Sequence, residues 1–326
     1  MHDVIGFLKD AVERGADIGI RGCYVIKDGA ISANNINKGL QAGVTMDYDG
    51  GFNVPADAMD LALARMKDVQ EIKLNDDHTL TVRSGRLSST IQCNPDEPVG
   101  VPNFPDEWID CPPGLADALK LALPFIGEMG WSSGIRLMDE RVTAISNNYG
   151  IDIILEGLAL DEPVLLTKDV AEFITKQGTP DRYSVTENNM FWQWDDGRWL
   201  RSQFLNDKMP EDIVDRIFNT ASQDKAPVAI DEAFREAYAD AAGLTTTGIL
   251  RITPTGFDTK DDKLHATSHV GLDIKGVPQS HVSYWDTKVI DAAMGCATSW
   301  NPAAYPQPSL FKGDGFRGVV MGRSRW

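Results

Sequence analysis

The sequence predicts an α+β protein of three tandem domains, each with two helices on one face of antiparallel sheets. Three observations carry this. An amphipathic helix recurs three times at a spacing of roughly 110 residues, the signature of an internal repeat. Each is followed by a pair of strands, a second helix and two more strands, in the same order every time. Proline-bearing acidic connectors, PNFPDEWI at 102–109 and DKMPEDIV at 207–214, separate the copies. The boundaries are placed at 1–108, 109–222 and 223–326.

The first helices are read over 4–15, 114–126 and 230–242. Ile5, Leu8 and Val12 share a face in the first, as do Leu115, Ala118, Leu119 and Ala122 in the second. In the third, Ile230, Ala233, Phe234, Ala237, Tyr238 and Ala241 follow the i, i+3, i+4, i+7 pattern. Strand pairs follow, alternating in Ile135-Arg136-Leu137 and Ile249-Leu250-Arg251-Ile252, with turns at Lys27-Asp28-Gly29 and Pro254-Thr255-Gly256. Second helices lie in VPADAMDLALARMKD, LTKDVAEFITKQG and SYWDTKVIDAAMGCA, the third with Ser283 at its start as a cap. The closing strands include a hairpin around Asp195-Asp196-Gly197, across which Trp192, Trp194 and Trp199 pack.

Composition bounds the function. The 326 residues are 42% hydrophobic and 24% charged, an ordinary globular balance. No apolar run is long enough to span a membrane, and Asp3 and Lys9 interrupt any secretory leader. Cys23, Cys93, Cys111 and Cys296 lie far apart without a CxxC pair, which predicts reduced thiols and a cytoplasmic setting. The formal charge of −17 opposes nucleic-acid binding overall, but a basic groove can coexist with an acidic exterior.

Enzyme chemistry finds no support. GxSxG, GxxxxGK[ST] and HExxH are all absent. His265 and His269 are four apart in a segment that reads as strand, too far apart to chelate easily. Asp195-Asp196 and Asp261-Asp262 read as turn tips. No catalytic residue, cofactor or metal is expected.

Helices segregated to one face of a sheet form a two-layer domain, and a curved string of such domains closes into a ring lined by helices. Packed helices sit about 9 Å apart, so six would leave a lumen of roughly 7 Å and twelve a hole near 24 Å. Nine domains would leave about 42 Å on the same reckoning. A B-DNA duplex is about 20 Å wide, so six domains, a head-to-tail homodimer, fit best.

FNVPADAMDLALARM with LTVRSGRLSSTIQC resembles the second half of a first domain of the bacterial sliding-clamp family, the DNA polymerase III beta subunits. FRGVVMGRSRW resembles that family's C-terminal strand and tail, although Gly322-Arg323-Ser324-Arg325-Trp326 replaces a tail with proline, methionine and a terminal leucine. The resemblance covers nearly the whole chain and suits a divergent, phage-like member. It implies a processivity factor that encircles duplex DNA without reading sequence and tethers a polymerase and a clamp loader through a short apolar peptide motif.

Helix bases suited to phosphates are Lys9, Arg14, Arg65, Lys67, Lys120, Lys168, Lys176, Arg235 and Lys288; the family's rim loops add Arg21 and Trp131. By resemblance, the partner-peptide pocket draws on Tyr149, Ile151, Ile153, Pro210, Ile213, Val214, Val320 and Met321. Ordinary solvated charge, core strand and linker proline are the competing readings of these residues. The competing function is a non-catalytic assembly protein of tandem α+β domains that does not bind DNA.

Overall fold

The computed structural model describes residues 1–14, 19–27, 29–35, 38–43, 51–94, 105–221, 226–261 and 266–325. Asp28, Asp262, His265, Trp326, residues 102–104 of the first connector and the 222–223 boundary lie outside them.

The element order repeats three times. The first copy runs α1 (His2–Leu8), β1 (Cys23–Lys27), β2 (Ala30–Asn34), β3 (Lys38–Gly43), β4 (Gly51–Pro55), α2 (Ala56–Ala64), β5 (Glu71–Leu74), β6 (Thr79–Ser84) and β7 (Leu87–Gln92). A short strand, β8 (Ile109–Asp110), leads into the second copy. That copy runs α3 (Leu115–Ala122), β9 (Gly134–Met138), β10 (Arg141–Ile145), β11 (Tyr149–Ile154), β12 (Val164–Thr167), α4 (Lys168–Gln177), β13 (Arg182–Val185), β14 (Asn189–Gln193) and β15 (Trp199–Gln203). An extra helix α5 (Glu211–Thr220) and strand β16 (Val228–Ala229) come next. The third copy runs α6 (Glu232–Leu244), β17 (Ile249–Thr253), β18 (Gly256–Asp261), β19 (Ala266–Gly271), β20 (Ser283–Asp286), α7 (Thr287–Met294), β21 (Ala297–Asn301), β22 (Pro308–Gly313) and β23 (Phe316–Met321).

Each copy thus has four strands before its second helix and three after, more than the pairs read from sequence. The first helix is shorter than read: α1 ends at Leu8 and continues as a 3-10 turn to Ala11, with Val12 already extended. Ser283 lies in β20; the side chain that caps α7 is Asp286, which accepts from the Lys288 amide at 3.1 Å. Asp231 caps α6 in the same way, 2.9 Å from the Phe234 amide. The second connector is not a plain linker, since Pro210 opens α5 there.

The chain forms two compact units, Met1–Cys111 with Pro180–Gln203, and Pro112–Thr179 with Phe204–Trp326. The first holds an eight-stranded antiparallel sheet ordered β4-β1-β2-β3-β15-β14-β13-β8 and a three-stranded sheet β5-β6-β7. On one face of the larger sheet lie Ile26, Ile31, Leu40, Leu200, Trp192 and Tyr183, buried together with Ile5, Phe7 and Leu8 of α1. Trp192 packs on Tyr183 and Trp199 on Phe191, on opposite faces, as strand alternation requires.

The second unit holds an eight-stranded sheet ordered β12-β9-β10-β11-β23-β22-β21-β16 and a four-stranded sheet β19-β18-β17-β20. Leu115, Ala118 and Leu119 of α3, with Val170, Phe173 and Ile174 of α4, are buried over the face that carries Ile135, Val142, Ile151 and Ile153. In the third copy Phe234 and Tyr238 of α6 meet Phe257 edge-on at 5.3 and 6.0 Å.

Candidate DNA and partner interface

Each eight-stranded sheet joins strands of two successive copies, and both seams are built alike. The third strand of one copy pairs with the last strand of the next: β3 with β15, and β11 with β23. The third copy's third strand, β19, and the first copy's last strand, β7, have no such neighbour among the described residues. Burial follows pairing. The side chains of β3 and β11 are mostly buried, whereas those of β19 are almost all exposed. β23 is largely buried, whereas β7 buries only Ile91.

The seam in the second unit carries the strongest polar cluster there. Asp152 is buried and accepts from Thr143 Oγ1 (2.9 Å), Arg141 Nη1 (3.1 Å) and Arg317 Nε (2.8 Å). The Arg317 guanidinium also lies 4.5 Å from the Phe218 ring centroid of α5. Helix α5 covers this side of the sheet: Met209, Val214, Phe218 and Ala221 are buried with Ile145, Leu165, Leu310 and Val319. A Cβ added at Gly150 would sit 3.1 Å from Val319 Cγ2 and in ordinary contact with Phe218, so the small residue on β11 makes room for its neighbour on β23.

The eight pocket residues read from the resemblance are not brought onto one surface. Alternation turns Tyr149, Ile151, Ile153 and Val320 to the face opposite Gly150, Asp152 and Val319. Ile151 and Val320 are fully buried there, and Val214 is sealed on the other face under α5. Pro210, Ile213 and Met321 are half-buried. Sequence reasoning missed α5 and Phe218. The signal was present in Ile213, Val214, Ile217 and Phe218, spaced i, i+1, i+4, i+5 directly after Pro210.

The bases read as DNA contacts divide in two. Lys9 lies 3.9 Å from Asp60, Arg14 bonds Asp57 and Asp60, Arg21 bonds Glu13 (3.2 Å) and Lys168 pairs with Glu172 (3.6 Å). Arg235 donates to the carbonyls of Met294 and Ala297 at 3.3 and 2.8 Å, holding the end of α7. Arg65, Lys67, Lys120, Lys176 and Lys288 are exposed and form no ion pair among the described residues. Trp131 is half-buried against the α5 cluster. Tyr149 titrates above the usual phenol range, because burial and then the Asp286 charge disfavour its anion.

Among the described residues no cluster of His, Cys, Asp and Glu could hold a metal ion. No helix among them is long and apolar enough to cross a membrane.

No family model matches the sequence, and no curated protein matches it significantly. Solved structures do match in fold. The DNA polymerase III beta subunit of Eubacterium rectale aligns with TM-score 0.80 at 13% identity over 99% of this chain and 96% of its own. The Helicobacter pylori beta clamp bound to a DNA ligase peptide gives 0.78 at 14%, over 99% and 97%. The Bacillus subtilis polymerase sliding clamp gives 0.78 at 13%, over 99% and 97%. The fold of this chain is that of the bacterial DNA polymerase sliding clamps.

Proposed function

We propose that this chain is a sliding clamp: a non-catalytic cytoplasmic processivity factor of three domains, 1–108, 109–222 and 223–326, closing as a head-to-tail homodimer around duplex DNA. The observation that carries the reading is the twice-repeated seam with its two unmatched edges. If β3·β15 and β11·β23 are two instances of one joint, β19 of one subunit and β7 of another form the third. Two such joints close a ring of six domains, with the two repeat helices of each copy making twelve around a hole that fits a duplex.

The internal seams set the register of the new one. Tight turns align Ala30, Arg141 and Gly256, whose partners on the third strands are Gly43, Ile154 and Gly271. His269 therefore takes the position of Gln41 and Asp152. On the last strands, Leu87 follows its turn as Phe316 does. Transferring the pairing Ile153–Phe316 and Asp152–Arg317 sets Val270 against Leu87 of the partner subunit. It also sets His269 against the partner's Ser88, and Thr267 against the partner's Thr90. The apolar pair falls on the helix side, where Leu61 of α2, Leu87 and Leu244 at the end of α6 are large exposed hydrophobics.

Helices lining the lumen would present Arg65, Lys67, Lys120, Lys176 and Lys288 to phosphates, giving sequence-independent and salt-sensitive contacts. Polymerase and loader peptides would dock beside α5, along the half-buried Pro210, Ile213 and Met321. A ligase peptide on the Helicobacter pylori clamp supports peptide capture as a mode of this fold.

The test is a Thr90→Cys/Thr267→Cys double variant loaded on nicked circular plasmid. Oxidation should give covalent dimers that stay on circles in high salt and leave once the plasmid is linearised. Cross-linked dimers that never remain on circular DNA would favour the assembly-protein alternative. Absence of any dimer at tens of micromolar would reject the ring.

A further inference from the structure

A cavity of about 410 Å³ opens on the four-stranded sheet β19-β18-β17-β20, on the face away from α6. Arg251, Asp258 and His269 lie side by side there, alternating with Leu250, Phe257 and Val270 on the helix face. Thr253, Thr255, Gln279 and His281 complete its polar wall, and Asp258 is the one carboxylate among the described residues that line it. Asp258 accepts from Arg251 Nη1 at 2.8 Å and meets His269 Nδ1 at 2.7 Å. Arg251 Nε is buried with no hydrogen-bond partner among the described residues, an orphaned donor on a cation. One guanidinium and one carboxylate cancel, so the cavity alone is a weak host for an anion.

The transferred joint brings the missing charge. In the internal seam the pairing Ile153–Phe316 runs one residue further, where the Ile154 amide donates to the Gly315 carbonyl at 2.7 Å. Carried over to β19, the same step sets Gly271 against Arg86 of the partner subunit. Thr253, Gly256 and Gly271 form one row across the sheet, so two glycines leave the way to Thr253 open to a long side chain. His269 leans over that gap: a Cβ built on Gly271 would lie 3.8 Å from its Nε2. Arg86 is exposed and forms no ion pair among the described residues.

We propose that this cavity and the partner's Arg86 together bind a phosphate group across the intersubunit joint. The inference rests on the ring reading, which supplies the partner subunit. Two guanidiniums, the His269 ring and the Thr255 hydroxyl offer more donors than Asp258 can accept, which suits an oxyanion with several acceptor oxygens. Guanidinium forks match phosphate geometry, and Asp258 already holds that of Arg251 in place. Each subunit supplies part of the site, so a bound phosphate ties the joint, and a closed dimer holds two such sites. A ligand that binds only the dimer strengthens it by mass action. At ten times its site Kd, two sites tighten the dimer about a hundredfold.

The experiment is a sedimentation-velocity series on the full chain in chloride and in inorganic phosphate at equal ionic strength, with calorimetric titration of phosphate into the dimer. The unmodified chain should dimerise more tightly in phosphate, by about a hundredfold at ten times the site Kd. Arg86→Gln, on an exposed turn, should lose the phosphate effect at unchanged Tm, and Arg251→Gln should lose it too. Mixed in equal amounts, the two variants form a heterodimer with one intact joint, which should bind phosphate where neither parent does. Repeating the titration with a nucleoside triphosphate shows which source of the phosphate group binds more tightly. An unmodified dimer indifferent to both ligands overturns the proposal. So does phosphate binding that survives in Arg86→Gln, because the site would then lie within one subunit, or its absence from a mixture of two folded variants. A chain that stays monomeric at tens of micromolar, with or without phosphate, rejects the ring itself and this inference with it.

Discussion

Leu87 offers the sharpest test of the ring, because its effect on assembly should be large and its effect on folding small. It is 52% exposed on β7, and in the transferred register it meets Val270 of the partner subunit. Fully burying a leucine stabilises by about 2 kcal/mol, so covering the exposed half gains about 1 kcal/mol per joint. A closed dimer has two joints, so Leu87→Ala should cost about 2 kcal/mol of dimerisation, about thirtyfold in Kd. Leu61 is 56% exposed on α2 and adds a similar amount. The Leu61→Ala/Leu87→Ala double variant should then weaken the dimer about a thousandfold. Sedimentation velocity over a concentration series reads both. As neither side chain is buried in the free chain, monomer stability should change by no more than about 0.5 kcal/mol. Ile109→Ala, at an exposed site on the far edge strand β8, is the control and should leave the dimer intact. An unchanged Kd for the double variant, or equal weakening by Ile109→Ala, would refute the joint.

Three further outcomes follow from the interior. Asp152→Ala should cost about 2 kcal/mol in chemical denaturation, because the bonds from Thr143, Arg141 and Arg317 are lost while both arginines stay partly hydrated. Tyr238→Phe should cost about 2 kcal/mol by the same measurement, since the phenol donates to Asp291 at 2.6 Å and ties α6 to α7. Burial pushes the thiols of Cys93 and Cys296 up to about 11 and of Cys111 up to about 12, from 9.0. A folded value above the unfolded one means this stability is complete below about pH 9 and is lost as pH rises toward 11 or 12. Tm should fall across that window, and thiol reagents at pH 8 should label the buried Cys93 at the rate of unfolding, after the partly exposed Cys111 and Cys296.

Much of the fold was legible because the repeat makes each copy report on the others. Phe234, Ala237, Tyr238 and Ala241 all fell on the buried face of α6 as periodicity required. What escaped was set by long-range pairing. Nothing local marks β3 and β15, about 160 residues apart, as neighbours; that follows from loop closure between copies, which sequence alternation does not encode. The same gap explains the scattered pocket. Tyr149, Ile151, Ile153 and Val320 are apolar and close in the sheet, yet a period of two sends them to the face opposite Val214. Charge was legible only as a total, since Arg14 and Arg235 look alike in sequence to Lys120 but are held by carboxylates or carbonyls.

The three joints need not be equally strong, and the outer-face row shows why. In β11·β23 the row runs Thr143, Asp152, Arg317, and separating the strands would take Arg317 from the carboxylate and leave Asp152 to Thr143 and Arg141 alone. In the four-stranded sheet the same positions are Asp258 and His269. There His269 Nδ1 and Arg251 Nη1 already meet Asp258, at 2.7 and 2.8 Å. On the three-stranded sheet Arg83 meets Glu71 at 3.2 Å. Among the described residues beside the intersubunit joint, Asp258, His269, Arg251, Glu71 and Arg83 are therefore paired within their own sheets, and opening that joint exposes apolar surface and backbone without unpairing any of these five. An Asp258→Thr/His269→Asp/Ser88→Arg variant rebuilds the internal row across the subunit boundary. It should tighten the dimer about tenfold or more over two joints and slow its opening onto DNA in a loading time course. A dimer weakened by the transplant, with each subunit still folded, would show that the register carried over from the internal seams is wrong.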